Sequence, residues 1–352
     1  MNKKIIVGVS GGIDSTFAVL LLKEQGWDVC ALHLETTGME NDDDRERLLR
    51  LQQEFSIPLL RIDCRKRFNK TVVEPFLAAY RRGETSNPCV ICNEALKFRI
   101  LIETADAWGI QYVATGHYAR IVRCGDDFAI ARSRTNKDQT YALYRLPADW
   151  LPRIVFPLAE IESKAEVREK LIQSLGDSVR RAQESQDICF LKDTSLESFL
   201  ARHISAEERF CGDMVDEYGH VLGRHKGLIF YTEGQRKGLG LSCGPWFVAR
   251  RDFSNGMMHL KNGCESRSSV VSFDRAVWQR TVTPGRRYSV QYCYRFPPKE
   301  AELLLHKGKS GTVRFLTPCG GVSTGQSLVF YENGIMMGGG VITNFSETEE
   351  RE

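Results

Sequence analysis

The run Lys4-Ile5-Ile6-Val7-Gly8-Val9 passes straight into Ser10-Gly11-Gly12-Ile13-Asp14-Ser15-Thr16, and no other stretch restricts the possible folds as tightly. A β-rich run that gives way at once to a glycine pair and a helical pattern reads as the first strand, turn and helix of a parallel sheet, where such sheets bind ligands. The glycine pair lets backbone amides approach a ligand closely, and the helix N-terminus adds free donors and a positive dipole. The turn is therefore suited to phosphate, with Ser10 and Ser15 as hydroxyl donors. A plainer reading has the glycines merely making the turn and Ser or Asp capping the helix. The string is neither G-x-x-x-x-G-K-[ST] nor G-x-G-x-x-G, so neither a P-loop kinase nor a dinucleotide dehydrogenase is indicated.

The same alternation continues downstream. Strand-like runs at 29–34, 59–62 and 112–115 are separated by helical patterns at 16–26, 45–55, 93–108 and 164–175. Strand followed by helix, repeated, implies parallel strands and right-handed crossovers. This predicts an α/β doubly wound parallel-sheet domain over 1–200. After Phe210 glycines become frequent and short alternating segments take over, which predicts a small β-rich central domain over 201–272. Residues 273–345 read as a C-terminal β-barrel with a hairpin turn at Glu332-Asn333-Gly334, and 346–352 as an acidic tail. Of the 352 residues 42% are hydrophobic and 26% charged, an ordinary globular composition. No apolar stretch approaches the ~18 residues of a membrane-spanning helix, so the expectation is a cytoplasmic chain with an intact N-terminus.

Eleven cysteines are an odd number and do not describe a disulfide framework in a chain of this kind, which leaves reduced thiols, a metal or catalysis. Net charge is only +3, but 61–82 carries seven Lys/Arg against two acids, 120–145 six against three, and 224–251 six against one. Such clusters suit a polyanion or a solvated face. In Asn87-Pro88-Cys89-Val90-Ile91-Cys92-Asn93 a helix is expected to begin around Glu94. That would set Cys92 near a helix N-terminus, where the dipole lowers a thiol pKa. Cys189, in Glu184-Ser185-Gln186-Asp187-Ile188-Cys189-Phe190, is a second candidate, and most other cysteines read as inert small hydrophobes.

The S-G-G-x-D-S string resembles the pyrophosphate loop (PP-loop) of the N-type ATP pyrophosphatases, and that resemblance implies ATP and Mg2+ as cofactors. The ordered set of motifs goes further. It runs from Gly8 to Ser15, Asn87 to Phe98, Ala114 to Arg120 and Lys137 to Tyr141, then through Ser185 to Phe190, Tyr231 to Gly240, Thr324-Gly325-Gln326 and Gly338-Gly339-Gly340. The chain thereby resembles the tRNA-specific 2-thiouridylases over nearly its whole length. The resemblance implies that Cys92 is the nucleophile and Cys189 the cysteine that accepts the persulfide sulfur. It implies an ATP site at Gly8, Val9, Ser10, Gly11, Gly12, Ile13, Asp14, Ser15, Leu34 and Gly116. It further implies tRNA contacts from Asn87, Pro88, Cys89, His117, Lys137, Asp138, Gln139 and Gln326. Partners implied are tRNA of the Lys, Glu and Gln isoacceptors and a persulfide carrier or cysteine desulfurase, with no membrane.

Cys89 stands where many members of that family have Asp. Three thiols at 89, 92 and 189 have the ligand count of a site-open 4Fe-4S cluster, and equally suit a metal-free route in which Cys92 and Cys189 carry persulfide and disulfide. Two other functions remain open on sequence: the ATP pyrophosphatase of a small-molecule synthetase, and a catalytically altered tRNA-binding or iron–sulfur paralogue. The synthetase explains the first loop but not the contexts of Cys92 and Cys189.

Overall fold

The computed structural model describes the chain except residues 1–2, 38–41, 136, 162–163, 177–178, 180–187, 192–193, 243, 264–266, 295 and 348–352. Ser185 to Asp187 of the second cysteine motif, Cys243, Cys264 and most of the acidic tail lie outside the described residues. The chain forms two compact units. The first takes in residues up to Val73, Cys89–Phe190 and Asn333–Met336; the second takes in Glu74–Pro88, Leu191–Glu332 and the chain from Met337 onward.

The first unit is built on an all-parallel five-stranded sheet of β1 (Lys4–Val9), β2 (Asp28–Glu35), β3 (Leu59–Asp63), β4 (Tyr112–Thr115) and β7 (Ile154–Val155) in the order β3-β2-β1-β4-β7. Ile5, Ile6 and Val7 are fully buried, because β1 is the central strand and the sheet is covered on both faces. Helix α1 (Ile13–Glu24) buries Phe17, Ala18, Val19, Leu20 and Leu22 in the core, and Gly26, at φ +80°, follows its end. The chain winds from β1 out to β3 and then returns to β4 on the other side of β1. Strand order therefore reverses between β1 and β4, where open α/β sheets hold their ligands. A hairpin of β5 (Arg120–Cys124) and β6 (Asp127–Ala131), absent from the sequence reading, follows β4.

In the second unit β8 (Gly212–Val215), β9 (Val221–His225), β10 (Trp246–Asp252) and β11 (Met257–Asn262) form a small sheet in the order β10-β11-β8-β9. The barrel strands are β12 (Arg267–Trp278), β13 (Arg287–Gln291), β14 (Lys299–Lys307), β15 (Ser310–Gly320), β16 (Ser327–Glu332) and β17 (Ile335–Glu347). They run β12-β15-β14-β13-β16-β17, and pairing of β12 with β17 closes the ring. Closure leaves no open strand edge. Asn333 and Gly334 both have positive φ, 52° and 76°, as the Asn-Gly hairpin signal requires. The expected α/β domain, small central domain and β-barrel are all present.

One boundary differs in a way that matters. The helix expected to begin around Glu94 starts at Pro88, and Pro88–Cys92, a π-helical stretch Asn93–Phe98 and Arg99–Ala107 follow one another without a break. Proline is suited to a first helical position, since its missing N–H has no partner there and its φ is already helical.

Phe330 is fully buried in the barrel against Phe273, Trp278 and Tyr288, with ring centroids at 5.5, 5.1 and 6.0 Å. Phe330→Ala is expected to destabilise the barrel by about 3–5 kcal/mol. Chemical denaturation followed by tryptophan fluorescence measures it, and an unchanged midpoint would contradict the assigned core.

Candidate functional site

The turn after β1 is shaped from outside as well as within. Gly11 has φ +80°, and a Cβ there would lie 2.5 Å from the Asp44 carbonyl oxygen, so only glycine fits. Asp44 and Arg47 belong to α2 (Asp42–Gln53). Arg47, 2% exposed, donates from Nε to the Gly11 carbonyl at 2.6 Å and from Nη2 to Asp44 Oδ1 at 2.5 Å. Inside the turn, Ser10 N donates to Ser15 Oγ (3.2 Å), Gly12 N to Ser10 Oγ (3.2 Å) and Ser15 Oγ to the Gly12 carbonyl (3.0 Å). The two serines thus brace the loop as well as offering hydroxyls. Thr16 N donates to the Gly12 carbonyl at 3.1 Å, and the start of α1 points its dipole into the turn, the polarity that favours an anion.

The other expected nucleotide residues gather here. A Cβ on Gly116, the residue after β4, would lie 2.7 Å from Asp14 and Ser15, so strand β4 meets the loop through bare backbone. Tyr118 Oη donates to Asp14 Oδ1 at 2.8 Å. His33 Nδ1 is 2.9 Å from the Val9 carbonyl, and Leu34 follows it, half-buried, on β2.

From Gly116 the chain leads to the thiols. His117 bonds Thr115 Oγ1 through Nδ1 at 2.8 Å and stacks on Phe98, centroids 5.8 Å apart. Burial, with a smaller push from Lys97, drives the His117 pKa down to about 3, so the imidazole is neutral at physiological pH. Cys92 is 5% exposed and lies inside the helical run rather than at its start. The expected dipole activation therefore fails: burial pushes its pKa up to about 12, Cys189 and Cys89 add to that, and Lys97 opposes it. Burial also works against the charge on Lys97, but Cys92, Cys89 and Cys189 outweigh it and hold that pKa above the ordinary lysine value. Cys89 and Cys189 are exposed.

Sequence reasoning missed Lys97. It lies five residues after Cys92, and only the i→i+5 pattern of a π-helical turn brings residues so spaced onto one face. Its ammonium makes no hydrogen bond or ion pair to any described residue, which leaves the thiols as its counterparts.

The expected tRNA contacts divide. Lys137 is exposed. Asp138 accepts from Arg132 Nε, Ser133 N and Thr140 Oγ1, each at 2.9 Å, while Gln139 Oε1 accepts from Tyr118 N at 3.0 Å. Asp138 fastens its own loop, and Gln139 ties that loop to the chain leaving β4. In the second unit Gln326 Nε2 donates to the Thr85 carbonyl at 2.9 Å, two residues before half-buried Asn87 and buried Pro88. Among the described residues, no three Cys, His, Asp or Glu side chains gather closely enough to hold a metal ion. Cys89, Cys92 and Cys189 share an electrostatic neighbourhood but do not fit as a cluster ligand set.

Residues 3–193 match the tRNA methyl transferase HUP domain, 197–260 the tRNA methyl transferase PRC-barrel domain, and 268–342 the aminomethyltransferase β-barrel domain. The tRNA-specific 2-thiouridylase MnmA of Listeria innocua is 34% identical to this chain, covering 96% of it and 94% of that protein. Those of Bacillus subtilis and Nitrosomonas eutropha are each 33% identical, covering 97% and 98% of this chain and 95% and 99% of theirs. The chain belongs to the tRNA-specific 2-thiouridylase family. The glycine turn and the Cys92 and Cys189 thiols lie in one α/β unit, and the β4–Gly116–His117 path is the local link between them.

Gly11→Val is expected to abolish the thermal shift that ATP induces while the unit stays folded; Gly26→Ala, also at φ +80° but facing open space, is expected to retain it. Retention by both variants would contradict the loop assignment. For Cys92, alkylation by iodoacetamide is expected to rise about tenfold per pH unit from about pH 7 to pH 10 without a plateau, and to be slower at each pH in Lys97→Met. A plateau near neutrality would contradict the buried-thiol account.

Proposed function

We propose that this chain is an ATP-dependent tRNA sulfurtransferase that converts the wobble uridine of tRNA to 2-thiouridine. The observation that carries the reading is the meeting, in one unit, of an amide-lined turn at Gly11–Ser15 with the Cys92, Cys189 and Lys97 neighbourhood, in a chain related to 2-thiouridylases along its length. The turn receives the phosphates of ATP, and the uridine oxygen on carbon 2 attacks the α-phosphorus. Pyrophosphate leaves and AMP is bonded to that oxygen, which becomes a leaving group. The terminal sulfur of a persulfide on Cys189 then attacks carbon 2, and AMP departs with the oxygen. Cys92, as thiolate, attacks the Cys189 sulfur; the S–S bond breaks, the transferred sulfur stays on the ring, and a Cys92–Cys189 disulfide forms. A thiol reductant restores both thiols.

The Lys97 ammonium compensates the sulfur anions of these steps in a site that otherwise opposes them. Mg2+ entering with ATP would be held mainly by phosphate oxygens, with Asp14 as the carboxylate of the turn. The persulfide comes from a sulfur carrier or cysteine desulfurase, and the substrates are the Lys, Glu and Gln isoacceptors. No step runs through an iron–sulfur cluster. No described helix is long and apolar enough to cross a membrane, in keeping with a cytoplasmic enzyme.

Many of the clustered basic residues are occupied internally, Arg65 with Asp63, Arg67 with Glu103, Arg81 with Glu208 and Arg132 with Asp138 among them. Arg236 and Lys237 are exposed and have no acceptor among the described residues, on a loop that Gln235 braces through Thr232 N and the Lys237 carbonyl. They are suited to tRNA phosphates.

Pyrophosphate release from ATP is expected to require unmodified tRNA. Release that tRNA does not stimulate favours a small-molecule synthetase, and no release at all favours a binding protein. Affinity for tRNA is expected to fall steeply with salt, and the log–log slope to become shallower by about one for each of Arg236→Ala and Lys237→Ala. A flat dependence would count against tRNA as the partner.

A further inference from the structure

The segment that leads into the cysteine helix is held from two directions within the second unit. Helix Glu74–Arg81 ends in a Schellman cap: Gly83 N donates to the Tyr80 carbonyl at 3.0 Å and Glu84 N to the Ala79 carbonyl at 2.9 Å, with Gly83 at φ +76°. The Gly83 carbonyl accepts from Arg251 Nη2 at 2.7 Å. Arg251 lies on β10, and its side chain is 1% exposed. Its other donors go to the Tyr231 carbonyl at 2.7 Å and, as a two-bond fork at 2.8 and 2.7 Å, to Glu233. The Phe253 ring closes the same side, since a Cβ on Gly83 would lie 2.3 Å from it.

From the barrel, the Thr324 carbonyl accepts from Thr85 N at 2.7 Å, and Gln326 Nε2 donates to the Thr85 carbonyl at 2.9 Å. Both main-chain groups of Thr85 are thereby taken. Gly325 lets this happen, because a Cβ there would lie 2.8 Å from Glu84 Cβ and 2.9 Å from Thr85 N. Three consecutive residues, 83 to 85, are fixed by two elements far away in sequence, and Asn87, Pro88 and Cys89 follow directly. Glu233, through Arg251, and the Thr324-Gly325-Gln326 motif converge on this one segment.

We propose that the Arg251–Glu233 pair and Gln326 are positioning residues for sulfur transfer, fixing the segment that presents Asn87, Pro88 and Cys89 at the start of the cysteine helix. None of the three touches a reacting atom on this account; each acts through main-chain groups of Gly83 or Thr85. A charged, planar fork is suited to Arg251, because it must satisfy a carboxylate and two carbonyls at once, which an ammonium cannot do with the same geometry. The proposal rests on the sulfurtransferase reading.

The test is single-turnover thiolation of unmodified tRNA by the full chain carrying Arg251→Lys or, separately, Gln326→Leu, beside the unaltered chain. A misplaced segment is expected to lower the maximal rate about 100-fold, while half-saturation by tRNA and the ATP-induced thermal shift change by less than about threefold. Glu233→Gln, which keeps one oxygen acceptor for Arg251 but loses the second and the charge, is expected to lower the rate less than Arg251→Lys does. Folded variants that thiolate as fast as the unaltered chain would overturn the proposal. So would a loss of rate, tRNA affinity and ATP response in proportion to lost stability, which marks a merely structural pair. Should Arg251→Lys not fold, Gln326→Leu decides the matter through an independent contact. Failure of the unaltered chain to thiolate would instead overturn the sulfurtransferase reading.

Discussion

The conformation of the turn after β1 depends on the direction of one peptide group. Arg47 holds the Gly11 carbonyl from α2, and that contact fixes the direction of the peptide group within the turn. Asp44 keeps Arg47 paired, and breaking a buried pair of this kind costs about 3–5 kcal/mol because the remaining charge is left uncompensated. The approach of α2 is so close that Gly11 has no room for a side chain. Gly116 makes the same close approach from β4, so the turn is confined at two points before any ligand arrives.

The sulfur end follows the opposite principle. Where the turn is prepared for charge, the surroundings of Cys92 resist it, and Lys97 is the opposing influence. A buried thiol that stays protonated is protected from oxidation and stray electrophiles. His117, kept neutral beside Lys97, contributes shape and hydrogen bonding there instead of a second positive charge.

Much of this was legible in the chain. The central strand announces itself as an unbroken apolar run, the turn by Gly11-Gly12, the barrel hairpin by Asn333-Gly334, and each works through local chemistry that a sequence displays. The start of the cysteine helix was also legible in principle, since Pro88 is a good first helical residue, but the segment reads equally as a loop with a helix beginning after Cys92. What sequence could not display was anything set by tertiary approach. Arg47 at the Gly11 carbonyl, Lys97 beside the thiols and Arg251 at the Gly83 carbonyl lie 36, 5 and 168 positions from their counterparts, and no local pattern marks them. The dipole argument for Cys92 failed for the same reason: burial, which only the fold reveals, outweighs the helix end.

The central claim is that this phosphate turn and these thiols together place sulfur on carbon 2 of a tRNA uridine. Mass spectrometry of nucleosides from tRNA of a strain lacking this chain tests it most directly, with strains restored by the unaltered chain and by Cys92→Ser. The account predicts that 2-thiouridine derivatives disappear in the deletion strain, return with the unaltered chain and stay absent with Cys92→Ser. Their persistence in the deletion strain, or their return with Cys92→Ser, would contradict it.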